Sequence, residues 1–351
     1  MISRINYYIA RGTDPYENLA VEKYLTMHTE PGQCILYLWQ NEKTVVIGKN
    51  QNAWKECKNE LLEEDGGHLA RRLSGGGAVF HDLGNLNFTF CVRRPDYHVD
   101  RQLSVIVEAV RRLGIQAEIS GRNDVTVDGR KISGNAFYRR GDFCYHHGTI
   151  LISVDKQQMS KYLRVSEQKL RSKGVDSVKV RVANLCECTS SPVTVESVKA
   201  AMLVAFESCY GLSAQPFKLP VEAGASVAAD TRFFDSWEWK YGQKIPFTHE
   251  MSQRFDWGDV DLQLFVDGGI VQAAVIYSDA MEQELIETLK NSLPGIPYDY
   301  RKMTELVHKC VEAYTNMDGL ERVAAAKRIE NDICRLLRDR MVTAGSTEDE
   351  A

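Results

Sequence analysis

The sequence predicts an α+β protein of two domains, and three observations carry that reading. The chain has 351 residues, beyond the roughly 100–200 of a single average domain. Strand-like and helix-like segments mix in the first two thirds without the regular alternation that builds a doubly wound sheet. Near residue 235 the composition changes: SWEWKYGQKIPFTHE brings two tryptophans, a Gly and a Pro, and a shorter acidic stretch follows. The expected domains are 1–245 and 250–345.

The elements follow in order. Asp14-Pro15 reads as an N-cap with Pro at the first helical position, opening a helix through about Met27. CILYLWQ (34–40) and TVVIG (44–48) read as strands joined by the turn Asn41-Glu42-Lys43. Residues 53–64 read as helix. HLARRL (68–73) and AVF (78–80) read as strands on either side of a Ser-Gly-Gly-Gly loop, and LNFTFCV (86–92) as another. A helical period over 101–113 ends at Gly114. Val125 and Val127 precede Asp128-Gly129, a dipeptide suited to the tight primed turn of a hairpin. CYHHGTILISV (144–154) is a strand, and 156–171 and 194–210 are helices. In the second domain, DVDLQLFVDGGIVQAAVIY forms a hairpin turning at Asp267-Gly268-Gly269, and helices fill 280–291, 300–315 and 318–341. TAGSTEDEA is a solvated tail.

Composition narrows the function. Apolar residues make up 44% and charged residues 26%, as in soluble globular proteins. No apolar run approaches the ~18–20 residues that span a bilayer, so no membrane association is expected. The start MISRINYYIARGTDPYENLA lacks the basic and apolar regions of a signal peptide, which points to the cytoplasm. Nine scattered cysteines form no regular framework and read as reduced thiols. Cys186 and Cys188 lack the second pair that a structural zinc site needs. The net charge is −5, but residues 249–351 hold 11 Lys/Arg against 20 Asp/Glu, whereas 121–181 hold 13 against 6. A basic segment on a mildly acidic chain suits an anionic ligand or an acidic protein partner rather than nucleic acid.

Three stretches can carry chemistry. In Arg71-Arg72-Leu73-Ser74-Gly75-Gly76-Gly77-Ala78-Val79-Phe80-His81-Asp82-Leu83-Gly84-Asn85, the glycines permit close backbone approach and their N–H groups can cradle an anion. Two arginines add permanent charge. No Walker pattern is present, and a surface turn beside a solvated Arg pair would look the same. In the hairpin, Lys131 lies just beyond the turn, followed by Ile132 and the small pair Ser133-Gly134, which leave room for a ligand beside the ammonium. A point charge there suits a phosphate or developing anion; a solvated hairpin lysine is the plain alternative. In Cys144-Tyr145-His146-His147-Gly148-Thr149, adjacent strand histidines face opposite sides and cannot readily share one metal.

Taken together, these stretches closely resemble the lipoate–protein ligase family. The likeness runs from Glu17-Asn18-Leu19-Ala20-Val21-Glu22 through Leu38-Trp39-Gln40, Thr44–Gly48 and Gln51-Asn52-Ala53-Trp54-Lys55-Glu56-Cys57. It continues through the R-R-x-S-G-G-G-A-V-F-H-D-x-G-N block, R-N-D (122–124), K-x-S-G (131–134) and H-H-G-T (146–149). S-K-G-V-D-S-V (172–178), Arg181-Val182-Ala183-Asn184 and Trp237-Glu238-Trp239 extend it. It covers nearly the whole chain, and the acidic second unit resembles the accessory domain of the longer ligases.

The resemblance implies a class II aminoacyl-tRNA synthetase and biotin ligase-like mixed sheet with flanking helices, plus a small α+β C-terminal domain. It implies activation of lipoate with ATP to lipoyl-AMP, release of pyrophosphate, and transfer to a lysine ε-amine of a carrier domain. The carriers would be those of 2-oxoacid dehydrogenase complexes or of glycine cleavage. Lys131 would be catalytic and would touch both nucleotide and lipoate. Arg72, Gly77, Ala78, Val79, Phe80 and Asp124 would serve ATP, with Mg2+ arriving on the nucleotide. Ser74, Gly76, His81, Asn85, His147, Leu19 and Trp39 would contact lipoate, and Val46, Val79 and Ala136 would help wall an apolar tunnel. Cys144 stands in a C-x-x-H-G context similar to that of the octanoyl transferases, which use a nucleophilic Cys. An acyl-enzyme on Cys144, or transfer from preformed lipoyl-AMP alone, is the alternative the resemblance leaves open.

Overall fold

The computed structural model describes residues 1–121, 124–164, 182–242, 245–315 and 320–345. They form two compact units. The first comprises Met1–Ile47, Ala53–Leu73 and Ala78–Tyr241. The second comprises Gly48–Asn52, Ser74–Gly77 and the chain from Gly242 on.

The first unit is built on an eight-stranded mixed sheet. In chain order its strands are β1 (Arg4–Ile9), β2 (Gln33–Trp39), β6 (Asn85–Arg93), β7 (Glu118–Ser120), β8 (Asp124–Val127), β9 (Arg130–Arg140), β10 (Phe143–Leu151) and β11 (Gln215–Pro216). They lie in the order β11-β1-β2-β6-β10-β9-β8-β7. β1 runs parallel to β2 and β11, and the other neighbours are antiparallel. A second, small sheet joins β3 (Thr44–Ile47), β4 (His68–Arg71) and β5 (Val79–His81), with β3 central. β2 and β3 therefore do not form a hairpin across Asn41–Lys43; they belong to different sheets.

Alternation along the central strands gives the large sheet two faces. One face carries Leu36, Leu38, Phe88, Phe90, Val92 and Cys144 into an apolar core under helices Val99–Arg112 and Val195–Tyr210. The other carries Ile35, Tyr37, Trp39 and Cys91 toward helix Pro15–Met27, together with Val46 and Ala70 of the small sheet. Asp14 caps that helix by accepting from the Tyr16 and Glu17 N–H groups, as the Asp-Pro signal predicts.

The hairpin at 128–129 forms as expected, with φ +50° at Asp128 and +72° at Gly129. Several elements depart from the sequence reading. The expected helix over 53–64 is two short helices, Ala53–Glu56 and Asn59–Glu64. The break falls where Lys58 N–H donates to the Tyr162 carbonyl instead of continuing the helix. The helix expected over 156–171 is seen as Lys156–Tyr162; 165–171 lie outside the described residues, as do Arg122-Asn123, the 172–178 motif and Arg181. Helix Ala223–Asp235 and strands β1, β7 and β11 have no counterpart in the pattern. That helix buries only Ala223 and Phe234, so it leaves almost no apolar stripe to read.

The second unit holds an antiparallel sheet of β12 (His249–Phe255), β13 (Gly258–Asp267) and β14 (Ile270–Ser278). Helices Gln283–Ser292, Tyr300–Thr315 and Leu320–Gly345 accompany it around a core of Leu262, Leu264, Leu285, Val307 and Ile329. The hairpin turns at the predicted glycines; β12 was not anticipated. No helix among the described residues is long and apolar enough to cross a membrane.

Candidate active site

Lys131 is positioned by an irregularity in its own strand. The pairing of β8 with β9 slips by one residue, so Thr126 faces Lys131 while Val125 faces Ser133. The bulge leaves Ile132 as the extra residue and brings Lys131 over Gly134. A Cβ at Gly134 would stand 2.8 Å from both Lys131 Cε and Nζ. The absent side chain is what lets the lysine fold across the strand. There its Nζ meets Asp124 Oδ1 at 2.7 Å, with both side chains about one third exposed. From the other side, the Ala183 N–H donates to the Lys131 carbonyl. Asp124 thus neighbours the predicted lysine.

Gly134 and Lys131 share a sheet face with a buried polar network. Across β2, β6, β10 and β9, Tyr37, Thr89, His147 and Ala136 form one row, and Trp39, Asn87 and Thr149 the next. Trp39 Nε1–H donates to Thr89 Oγ1 at 3.1 Å, and Thr89 donates to Glu22 Oε1 at 2.7 Å. His147 Nδ1 lies 2.8 Å from the same oxygen. Glu22 is only 1% exposed, so these partners replace the water it has lost. Asn85 donates to Asn87 Oδ1, which leaves Asn85 Oδ1, Asn87 Nδ2 and His81 Nε2 buried with no partner among the described residues. Buried polar atoms ordinarily have partners, so a group of orphaned ones makes this face a candidate binding surface.

Arg72 lies 5% exposed, with Nη1 donating to the Val46 carbonyl. Burial lowers its pKa to about 10, opposed by nearby Tyr145 and Glu22, so it stays charged at neutral pH. Arg71 plays another part: its Nε donates to the Trp239 carbonyl, and Trp239 Nε1–H donates back to the Arg71 carbonyl. His81 is buried, and burial lowers its pKa to about 3, helped by Arg72 and His147. Leu19, Trp39 and Val46 are buried together in the apolar cluster on this side, with Val79 partly buried against it. The Phe80 ring points the other way, into a separate core beside Tyr162, so only its backbone can face a nucleotide.

Ser74, Gly76 and Gly77 fall in the second unit. There the Ser74 carbonyl accepts from Lys49 N–H, and Gly76 has φ +86°. A Cβ at Gly75 would stand 2.4 Å from the Ala280 carbonyl oxygen. At that position the glycine is required for backbone packing within the unit, whatever its neighbours bind.

Cys144 and His146 sit on the opposite face from His147. Cys144 is fully buried in the apolar core. His146 contacts Asn135 and Gln102 at 2.8 and 3.2 Å, and burial holds its pKa near 3. Glu22, Thr89 and Asn87 were not singled out by sequence reasoning as site residues. A signal existed: Asn18, Glu22 and Thr26 recur every four residues and are all buried, a polar stripe on the inner side of a helix that should be apolar there.

Comparison with known proteins places the chain in a family. Residues 14–207 match the lipoyl protein ligase A/B catalytic domain, and residues 244–325 match the bacterial lipoate protein ligase C-terminus. A lipoate-protein ligase A from Psychrobacter cryohalolentis is 42% identical over 295 residues, covering 82% of this chain and 87% of that protein. The crystal structure of P. falciparum LipL1 in complex with lipoate superimposes with a TM-score of 0.80 at 27% identity, covering 94% of this chain and 99% of that one. A Thermoplasma acidophilum structure, from a study of a bipartite lipoate protein ligase and its E2 lipoyl domain, gives a TM-score of 0.62 at 26% identity. It covers 71% of this chain and 100% of that one. The chain belongs to the lipoate–protein ligase family of enzymes, with the family's catalytic domain followed by its bacterial C-terminal domain.

Proposed function

We propose that this enzyme activates lipoate with ATP and then lipoylates a carrier domain. The lipoate carboxylate displaces pyrophosphate from the ATP α-phosphate, giving lipoyl-AMP. The ε-amine of a carrier lysine then attacks the mixed anhydride, forming the amide and releasing AMP. The observation that carries the reading is the Lys131 ammonium, folded over Gly134 and paired with Asp124 at the edge of a face rich in orphaned polar atoms. Carboxylate and phosphate repel as they approach, and a fixed cation between them lowers that cost. Arg72 supplies a second permanent charge. Ala78, Val79, Phe80 and Gly77 serve the nucleotide chiefly through their backbone. His81, Asn85, Asn87 and His147 meet the acyl substrate's polar atoms, while Leu19, Trp39, Val46, Val79 and Ala136 line its chain.

Magnesium would arrive with the nucleotide. Among the described residues, no group of three or more His, Cys, Asp or Glu side chains could hold a metal. Mg2+ keeps several waters, takes phosphate oxygens and needs only one or two carboxylates. Asp124 would supply one; when bound, the ion offsets phosphate charge. The acceptors in this reading are lipoyl carrier domains of 2-oxoacid dehydrogenase complexes or of glycine cleavage, in keeping with the T. acidophilum ligase and its E2 lipoyl domain. In this reading Cys144 takes no part, and the burial of its thiol in the apolar core of the other face supports that choice.

The test is to incubate the protein with ATP, Mg2+, lipoate and an apo carrier domain. Lipoylated carrier, AMP and pyrophosphate should appear together. Carrier that is modified only when lipoyl-AMP is supplied ready-made would leave transfer and remove activation.

A further inference from the structure

The tautomer of His81 is fixed by a chain of amides that ends on a backbone carbonyl. Asn18 Nδ2 lies 2.8 Å from the Gln40 carbonyl oxygen. A carbonyl can only accept, so the atom facing it must be the NH2 group, and the orientation of Asn18 is determined. The same NH2 lies 3.0 Å from Asn41 Oδ1, while Asn18 Oδ1 accepts from the Tyr37 hydroxyl at 2.9 Å. Asn41 therefore turns its own NH2 toward His81, 3.2 Å from Nδ1. Nδ1 must then accept. In a neutral ring the remaining proton sits on Nε2, the atom that is buried without a partner among the described residues. The ring packs edge-on to Trp39, with centroids 6.2 Å apart.

We infer that Asn41, oriented by Asn18 and the Gln40 carbonyl, is a positioning residue that holds His81 as an Nε2–H donor toward the acyl substrate. This rests on the reading that the acyl substrate occupies this face. His147 is held in the opposite sense, since its Nδ1 faces the Glu22 carboxylate and so carries a proton. The two histidines thus present different hydrogen-bonding characters, set by what lies behind each ring.

The test begins without substrate. Long-range 1H–15N correlation spectra of uniformly 15N-labelled protein report which ring nitrogen of each of the eight histidines is protonated; His81→Gln assigns the relevant signals. The wild-type His81 ring is expected to be Nε2-protonated and neutral at pH 7. In Asn41→Asp an acceptor replaces the donor, so Nδ1 becomes protonated. Pyrophosphate release should then show KM for lipoate raised about tenfold with kcat within about twofold, the size of one buried hydrogen bond. An Nδ1-protonated wild-type ring, an Asn41→Asp ring that keeps the wild-type pattern, or a changed ring with unchanged KM would each overturn the inference. If Asn41→Asp does not fold, the wild-type spectrum still decides. Failure of the wild type to release pyrophosphate at all would sink the activation reading instead and leave the spectra untouched.

Discussion

His146 and His147 are neighbours in sequence and differ in almost everything else. His146 points into the apolar core, where two amides satisfy it and burial holds its pKa near 3. His147 points to the other face, against a buried carboxylate that also holds Thr89 and, through it, Trp39. The same contrast runs the length of the sheet. One face buries Phe88, Phe90 and Cys144; the other bears Asn85, Asn87, Thr89 and the lysine folded over Gly134. A single strand thus keeps an apolar core and a buried polar network one residue apart. The C-x-x-H-G pattern, which looks like one constellation, is divided between the two faces.

The largest expected effect lies on the polar face. Lys131→Ala should lower lipoate-dependent pyrophosphate release by about 100- to 1,000-fold, the cost of removing one preorganised charge. Its circular dichroism should stay unchanged, because the side chain is partly exposed and its ion pair is with Asp124. Gly134→Ala comes next. The new Cβ would collide with Lys131 Nζ and push it aside, and a displacement of about 1 Å can cost up to about 100-fold in rate. If Gly134→Ala keeps full activity, the lysine's position matters less than its charge.

The apolar face should show itself in stability rather than rate. His146 is neutral when folded, with a pKa near 3 against about 6.5 when unfolded. Between those values the unfolded chain binds the extra proton, so stability is lost as pH falls from about 6.5 toward 3. The slope approaches about 1.4 kcal/mol per pH unit for this group. His81 adds a similar slope. Denaturant titrations at stepwise lower pH should show it, and His146→Gln should be less steep than the wild type. An equal slope would mean that His146 is charged in the fold. The smallest effect is expected for Cys144→Ser. It should change turnover by no more than about twofold, and cost about 1–3 kcal/mol of stability because a hydroxyl replaces a thiol in an apolar site.

Much of this division was legible in the sequence. Period-two alternation foretold that the two histidines would part, and the Asp128-Gly129 turn located the lysine's hairpin. The small residue at 134 signalled room beside the ammonium, although only the bulge at Ile132 explains why the lysine uses it. The hidden features are those in which distant residues meet. Glu22 looks like an ordinary helical glutamate until helix Pro15–Met27 lays it against β6 and β10. Gly75 sits in a run that reads as an anion cradle, yet it meets the Ala280 carbonyl, 205 positions along the chain. Helix Ala223–Asp235 buries too few apolar side chains to betray itself, and β2 and β3 look like a hairpin because their separation into two sheets leaves no local trace.

ATP–pyrophosphate exchange in the presence of lipoate tests the central claim most directly. Wild type and Cys144→Ser should both catalyse exchange, and Lys131→Ala should not. Exchange that survives in Lys131→Ala but disappears in Cys144→Ser would place the chemistry on the wrong face and contradict the account.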